Sequence, residues 1–174
     1  MNDNEDMELT NRLTLNPEEI LGPSGPIAAH FSNYETRPAQ IQMSKAVLES
    51  MQSSKHLLCE AGTGTGKSYA FLIPAIEMAL SGEGPIVIST NTIALQEQIF
   101  RKDIPDLKKY LNLPDLKVVL RKGRGNYVSR RRLKNAQNFE WEPDQIPEIE
   151  DIETWANNPG TKTGAIQDMD FIPS

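Results

Sequence analysis

The chain has 174 residues and a formal net charge of −6, with 38% hydrophobic and 24% charged residues. This composition is typical of a folded globular domain and excludes fibrous and fully disordered proteins. A single cysteine, Cys59, excludes an intramolecular disulfide and any metal site built from cysteines alone. Because no apolar stretch approaches the roughly 20 residues that cross a bilayer and the first residues are acidic, we expect a cytoplasmic protein with no membrane partner.

Charge is segregated along the chain and suggests three regions. Residues 1–25 carry six acidic side chains and end in a G-P-S-G-P cluster, which predicts a flexible acidic N-terminal arm. Residues 139–174 carry nine acidic side chains and predict a partly disordered, irregular tail. Residues 116–138 hold eight basic and no acidic side chains, so this stretch could contact phosphates. We expect the folded domain to occupy residues 26–138.

The first predicted elements form a strand, a glycine-rich loop and a helix. A helix is expected from Pro38 to about Ser53, because Met43, Val47 and Met51 recur on one face. A short apolar run at 56–59 predicts a strand, and the mostly apolar run from 69 to Gly82 predicts a helix that Pro74 bends.

The second half of the domain repeats this alternation. Strands are predicted at 86–88 and 116–120, with one helix over 93–100 between them and a shorter one that starts at Pro105. Beyond about residue 135 the pattern supports at most one acidic helix. Strands that alternate with helices at this spacing predict an α/β fold with a parallel sheet and flanking helices.

The strongest chemical signal is the loop A-G-T-G-T-G-K-S. It fits the phosphate-binding loop pattern, with an alanine where the strict form has glycine. Its glycines free backbone N–H groups to converge on phosphate oxygens at a helix N-terminus, where the lysine ammonium adds charge and the serine hydroxyl can ligate Mg²⁺. The residues expected to hold ATP or GTP, with Lys67 as the catalytic side chain and Ser68 as the Mg²⁺ ligand, are Ala61, Gly62, Thr63, Gly64, Thr65, Gly66, Lys67 and Ser68.

Four blocks in order carry a family resemblance. They are Y-E-T-R-P-A-Q-I-Q-M at 34–43, E-A-G-T-G-T-G-K-S at 60–68, I-S-T-N-T-I-A-L-Q-E-Q-I at 88–99 and R-K-G-R-G-N-Y-V-S-R-R-R-L at 121–133. Together they resemble the first motor domain of superfamily 2 DNA helicases of the DinG/XPD type. The resemblance implies a RecA-like P-loop NTPase fold, an ATP-dependent DNA helicase activity, ATP and Mg²⁺ as cofactors, and single-stranded or forked DNA as partner.

The resemblance also implies roles for individual residues. In this family the R-P-x-Q element recognises adenine, which maps onto Gln40 with Arg37 nearby; a glutamine amide can pair with the adenine edge and favour ATP over GTP. The block at 88–99 resembles the motif that holds the DNA backbone, with Thr92, Gln96 and Gln98 as candidates. A helix cap at Thr90 or Asn91 and solvated glutamines would produce the same pattern there.

The basic block at 121–134 resembles an element that in many relatives supplies the first cysteine of an iron–sulfur cluster. Here that position is Ser129, whose hydroxyl is a poor iron ligand, so an iron–sulfur cluster is not supported. Lys122 and Arg124 are candidate DNA contacts, although the eight positive charges could equally form a solvated face. Cys59 is expected to be a buried strand residue.

The acidic D-E-x-H motif that this family needs for hydrolysis does not occur in the 174 residues. We therefore expect an N-terminal fragment that binds nucleotide with little turnover. Two alternatives remain open. One is a small P-loop kinase or phosphotransferase, with Arg130–Arg132 as its lid arginines. The other is a truncated, non-catalytic protein that binds nucleotide or DNA, with an incomplete and marginally stable sheet.

Overall fold

The computed structural model describes residues 15–82, 84–136, 138–143, 145–161, 163–169 and 171. The chain divides into two compact units, Met1–Val119 and Leu120–Ser174. This division falls after Val119, within the predicted strand at 116–120. The predicted domain boundary at residue 138 stays a prediction. No helix among the described residues is long and apolar enough to cross a bilayer.

The described part of the first unit is built from helices. They are α1 Pro17–Leu21, α2 Pro38–Gln52, α3 Lys67–Leu80, α4 Ile93–Gln98 and α5 Ile104–Tyr110, with a short 3₁₀ turn at Ala28–His30. Helices α2 and α3, which flank the glycine-rich loop, make the most extensive contact with each other, and α1 packs on α2. The helices predicted from Pro38 and after the loop are confirmed.

Helices α4 and α5 are joined by a π-helical segment, Ile99–Asp103. The two separate helices that the sequence predicts are therefore one nearly continuous helical run. Pro105 lies in the first turn of α5 and has no N–H to donate to a carbonyl one turn earlier. A π-helical turn is one way in which a helix accommodates such a local loss of the regular hydrogen-bond pattern.

The core of the first unit lies between these helices. Leu72 and Ile73 of α3 are 1% and 0% exposed and form its centre. Around them pack apolar side chains from α1, from the residues that flank it and from the helical run that ends at Tyr110. The buried members are Leu15, Ile20, Leu21, Ile27, Leu72, Ile73, Ile76, Ile99, Ile104, Leu107 and Leu111.

The flexible arm predicted for residues 1–25 is wrong for residues 15–25. Leu15 and Leu21 are each 1% exposed, and the Leu15 N–H donates to the carboxylate of Glu77 on α3 at 2.8 Å. Asn16 caps α1 by accepting from the Glu18 N–H at 3.0 Å. Burial of these leucines stabilises the segment. The sequence did not indicate a folded segment here, because α1 is only five residues long and lies next to a proline- and glycine-rich stretch. Residues 1–14 of the predicted arm lie outside the described residues.

The predicted parallel sheet is not confirmed. The segments at 56–59, 86–88 and 116–119 have no regular secondary structure, and no strand ladder forms among the residues that the structure describes. One apolar side chain in each segment is largely exposed: Leu58 is 100%, Val87 85% and Val119 87% exposed, whereas Ile86 and Leu116 are partly buried. Cys59, expected to be buried in the first strand, is exposed for the same reason. Strand residues become buried only when neighbouring strands and helices cover the sheet.

The second unit contains two helices, α6 Arg130–Ala136 and α7 Ile146–Asn157, and 3₁₀ turns at Arg124–Asn126 and Ile166–Asp168. Helix α7 confirms the single acidic helix predicted for this region. An isolated antiparallel bridge pairs Tyr127 with Ala165, and the Val128 N–H donates to the Gly164 carbonyl at 3.0 Å. These contacts join the two ends of the unit.

Candidate nucleotide-binding site

The glycine-rich loop connects the extended segment at 56–59 to the N-terminus of α3. Gly64 and Gly66 have φ of 78° and 80°, a left-handed conformation that costs a side-chain-bearing residue about 1–2 kcal/mol. Gly66 is also the N-cap of α3, so the loop ends where the first unpaired N–H groups of that helix begin. The local sequence thus places the glycine-rich loop at a helix start, and phosphate binding there stays a prediction.

Lys67 folds back over this loop. Its ammonium donates to the carbonyls of Ala61 at 2.7 Å and Gly62 at 3.0 Å, and the Thr65 hydroxyl donates to the same Gly62 carbonyl at 2.9 Å. The lysine is exposed, and backbone carbonyls are weaker partners for an ammonium than phosphate oxygens. The side chain is therefore positioned at the loop while it can still exchange these partners for a ligand.

Two side chains at the start of α2 contact the same loop. Arg37 donates from Nη1 to the Gly64 carbonyl at 2.6 Å, and Gln40 donates from Nε2 to the Gly66 carbonyl at 2.8 Å. Gln40 is only 8% exposed. These hydrogen bonds connect the R-P-x-Q element to the phosphate loop, although Gln40 and Gly66 are 26 residues apart in the sequence.

A cavity of about 510 Å³ opens beside these contacts. Gly66 and Ser68 lie at its phosphate-loop side and Arg37 and Gln40 in its wall. Such a volume lies within the usual range of small-molecule pockets, which place a few polar groups among apolar walls. The structure therefore brings Arg37, Gln40, Gly66 and Ser68 together around one cavity, whereas Lys67 and residues 61–65 are not among the residues that line it.

Sequence reasoning missed the aromatic wall of this cavity, which Phe31, Tyr34 and Tyr110 line. The Tyr110 ring stacks on the His30 ring with centroids 4.3 Å apart and meets the Phe31 ring edge-on at 6.0 Å. The Tyr34 hydroxyl donates to the Leu21 carbonyl at 2.8 Å. The signal was the aromatic cluster directly before R-P-x-Q, whereas the contribution of Tyr110 depends on tertiary contacts.

Charged side chains also line the cavity. Asp103, Asp106 and Lys102 do so together with Tyr69. Burial, reinforced by the negative charge of Asp106, raises the pKa of Tyr69 far above its usual value, and burial also raises the pKa of Tyr110. Both phenols therefore stay protonated at neutral pH and can donate hydrogen bonds.

The candidate DNA-backbone residues extend from the N-cap of α4, Thr92, to its last residue, Gln98. The Thr92 hydroxyl accepts from the Leu95 N–H at 3.2 Å. The Thr90 hydroxyl donates to the Thr92 carbonyl at 3.2 Å. Gln98 donates to the buried Asp103 carboxylate at 3.3 Å, and Gln96 also has an interaction partner. The cap lies at Thr92 itself, one or two residues later than the expected alternatives, and its hydroxyl hydrogen can still be donated.

The second unit positions the remaining candidates differently. Lys122 is only 7% exposed, and its ammonium donates to the Gln167 side chain at 2.7 Å. Arg124 is exposed in the adjacent 3₁₀ turn. The Ser129 hydroxyl accepts from the Arg132 N–H at 3.4 Å, as a residue that precedes a helix does. The absence of an iron–sulfur cluster stays a prediction from the sequence.

Comparison with known proteins places these motifs in one family. Residues 37–154 match the family model described as DEAD/DEAH box helicase. The chain is 35% identical over 147 residues to the ATP-dependent DNA helicase YoaA of Haemophilus influenzae. This match covers 83% of the chain and 22% of that protein. It is 42% identical over 117 residues to the ATP-dependent helicase DinG of Mycobacterium tuberculosis, covering 66% of the chain and 18% of the relative.

The ATP-dependent DNA helicase DinG of Escherichia coli is 39% identical over 124 residues, or 70% of this chain and 17% of that protein. The chain thus spans about a fifth of the length of these relatives. The matched residues include the R-P-x-Q element, the glycine-rich loop and the basic block, all of which lie within 37–154. The chain therefore belongs to the DEAD/DEAH box helicase family.

Proposed function

We propose that this chain is the ATP-binding portion of an ATP-dependent DNA helicase that couples ATP hydrolysis to movement on single-stranded DNA. The observation that carries the proposal is the pair of hydrogen bonds from Arg37 and Gln40 to the carbonyls of Gly64 and Gly66. These bonds hold the base-recognising element against the phosphate loop, at the wall of a cavity of about 510 Å³. A generic glycine-rich turn would not need such partners.

The residues present fit ATP and Mg²⁺. The backbone N–H groups from Ala61 to Lys67 and the Lys67 ammonium would hold the phosphates, and the Ser68 hydroxyl would ligate Mg²⁺. The Gln40 amide, with Arg37 beside it, would recognise adenine against the aromatic wall of the cavity. When bound, ATP supplies the phosphoanhydride bond whose cleavage drives movement. Lys67 stabilises negative charge on the phosphates in that step.

The described residues do not form the sheet of a complete motor domain, so the sheet is itself part of the proposal. We propose that the segments at 56–59, 86–88 and 116–119 are strands of a RecA-like sheet that lacks its pairing partners within this chain. Their exposed apolar residues, Leu58, Val87 and Val119, are what unpaired strands of a buried sheet would present. On this proposal the ATP-binding part covers residues 26–138, and residues 139–174 begin an insertion of the family's motor domain.

Contacts to the DNA backbone are proposed for Thr92, the N-cap of α4, and for Gln96 and Gln98 within that helix. The Thr92 hydroxyl would donate its hydrogen to a phosphate while its oxygen caps the helix. In the second unit Arg124 would contact DNA directly. Lys122 would act through the turn that it anchors, because its ammonium is bound to Gln167.

Binding of a fluorescently labelled ATP in the presence of Mg²⁺ tests the proposal. We expect Lys67→Ala to weaken binding by at least about tenfold, because charge-assisted hydrogen bonds contribute about 1.5–3 kcal/mol. Lys117→Ala removes another exposed lysine of the same unit and should leave affinity unchanged. If Lys67→Ala binds labelled ATP as tightly as the unaltered chain, the assignment to a helicase motor fails.

Two further measurements define the substrate and the extent of turnover. Gln40→Ala should reduce the preference for ATP over GTP in competition with the labelled nucleotide, since it removes the amide that pairs with adenine. The isolated chain should show little steady ATP hydrolysis with or without single-stranded DNA, because the acidic motif does not occur in its 174 residues. DNA-stimulated turnover would contradict this part of the proposal.

A further inference from the structure

Two exposed aromatic rings lie beside the basic helix of the second unit. Phe139 is 66% and Trp141 40% exposed, and their ring centroids are 6.2 Å apart at an interplanar angle of 62°. Large aromatic side chains with this exposure are uncommon on a folded surface unless a partner covers them. Neither ring belongs to the nucleotide site, which lies in the first unit.

Hydrogen bonds tie this aromatic segment to the end of α6. The Trp141 indole N–H donates to the Ala136 carbonyl at 2.7 Å, and the Phe139 backbone N–H donates to the same carbonyl at 3.1 Å. Ala136 is the last residue of α6, so the Trp141 ring and the Phe139 backbone are held at the C-terminal end of that helix. A ring held in this way loses little conformational entropy when a flat partner stacks on it.

Charge identifies the partner. Helix α6 carries exposed cationic side chains at Arg130, Arg131, Arg132 and Lys134. Glu140 and Glu142 flank Trp141 in the sequence, so the four cations of α6 exceed the two carboxylates next to the rings. Positive charge that follows a backbone, together with aromatic faces that take up bases, is the combination that binds single-stranded nucleic acid.

We propose that Phe139 and Trp141 form a stacking platform for unpaired bases of single-stranded DNA, with the arginines of α6 holding its phosphates. The proposal adds to the arginines of the basic block two aromatic residues that lie outside the four sequence blocks. It rests on the proposed DNA-binding function but is independent of the nucleotide site, so the two can fail separately.

Tryptophan fluorescence provides the test. The chain has two tryptophans, and Trp155→Phe leaves Trp141 as the only one. Titration of this variant with a single-stranded oligothymidylate of about 20 nucleotides should quench the Trp141 emission to saturation, because bases stack on the indole. A duplex of the same length should quench it less, since its bases are already stacked. Absence of quenching, or equal quenching by the duplex, would overturn the proposal.

Substitution of Phe139 separates stacking from apolar contact. In the Trp155→Phe background, Phe139→Leu should weaken oligothymidylate binding about fivefold or more, whereas Phe139→Tyr should retain it. Ile146→Ala, at an apolar position of the same unit that is 45% exposed, is the matched control and should change nothing. Unchanged affinity of Phe139→Leu would reject the platform.

Labelled ATP distinguishes this proposal from the preceding one. Phe139→Leu should bind labelled ATP like the unaltered chain, and Lys67→Ala should bind oligothymidylate like it. If the Trp155→Phe chain, with Phe139 and Trp141 in place, binds labelled ATP but shows no oligothymidylate quenching, only the platform is rejected. If the same chain shows quenching but binds no labelled ATP, only the nucleotide site is rejected.

Discussion

The helices and the extended segments of the first unit have opposite surroundings, although they share one chain and similar apolar content. Leu72 and Ile73 on α3 are 1% and 0% exposed, whereas Leu58 is 100% and Val87 85% exposed. A helix satisfies its own backbone hydrogen bonds, so it needs only one neighbour for its apolar face. A strand needs partners on both edges and cover on both faces before its side chains are buried.

This difference explains how the phosphate loop is held although no sheet forms among the residues that the structure describes. The loop is held from the helical side, by Arg37 and Gln40 of α2 and by the start of α3. Its other flank, the segment at 56–59, contributes little burial. The nucleotide site thus depends on α2–α3 packing, and variants on the two sides of the loop should behave differently.

The largest expected effect comes from a matched pair of leucines. Leu72→Ala should lower the free energy of unfolding by about 2–5 kcal/mol, because it opens a cavity in the core, while Leu58→Ala should change it by less than about 0.5 kcal/mol. Urea denaturation followed by circular dichroism measures both. If Leu58→Ala destabilises as much as Leu72→Ala, the extended segment is buried in solution and the contrast between the two regions fails.

A second pair tests how the loop depends on α2. Gly64 and Gly66 both have positive φ, so alanine strains the backbone equally at each. A Cβ at Gly64 would meet nothing within 4 Å, whereas one at Gly66 would lie 2.2 Å from the Gln40 amide nitrogen. We expect Gly66→Ala to weaken labelled-ATP binding at least about fivefold more than Gly64→Ala does, because it also displaces Gln40.

The double variant Gln40→Ala with Gly66→Ala provides the control. Removal of the glutamine side chain removes the clash, so adding Gly66→Ala to Gln40→Ala should cost about as much affinity as Gly64→Ala costs in the unaltered chain. Equal effects of the two single glycine variants would show that Gln40 does not support the loop.

The sequence predicted the local features well. The glycine-rich loop and the helices on both sides of it depend on short-range patterns. The family resemblance assigned Gln40 to adenine without indicating a contact with Gly66, so the 2.8 Å hydrogen bond between them is a finding of the structure. The role of Gln40 in adenine recognition stays a prediction.

Features that depend on distant partners were harder to predict. The exposure of Cys59 contradicts its expected burial, because a strand pattern does not specify whether the neighbouring strands are present. Leu15 was assigned to a flexible arm, since its burial depends on Glu77 and the core 62 residues away. Tyr110 joined the cavity through His30 and Phe31, which no periodicity connects to it.

The smallest expected effect concerns the ion pair between α1 and α2. The Lys45 ammonium donates to the Glu18 carboxylate at 2.6 Å and lowers the pKa of Glu18 below its ordinary value of 4.5. Because the folded-state pKa is the lower one, the pair stabilises the fold above pH 4.5 and loses this contribution as the pH falls through the lowered value. The side chains of Lys45 and Glu18 are 54% and 63% exposed, so the contribution is small and screened by salt.

Glu18→Gln should therefore lower Tm by less than about 3 °C at neutral pH and low salt, with no difference from the unaltered chain once Glu18 is protonated. Glu49→Gln removes an exposed carboxylate from α2 and controls for net charge. Thermal melts of both variants between pH 3 and pH 7 measure the effect. If α1 is held mainly by burial of Ile20 and Leu21, as their exposures of 5% and 1% indicate, it should stay packed in Glu18→Gln. Unpacking of α1 in that variant would instead make its attachment electrostatic, and the helical side of the unit would then be less robust than its burial implies.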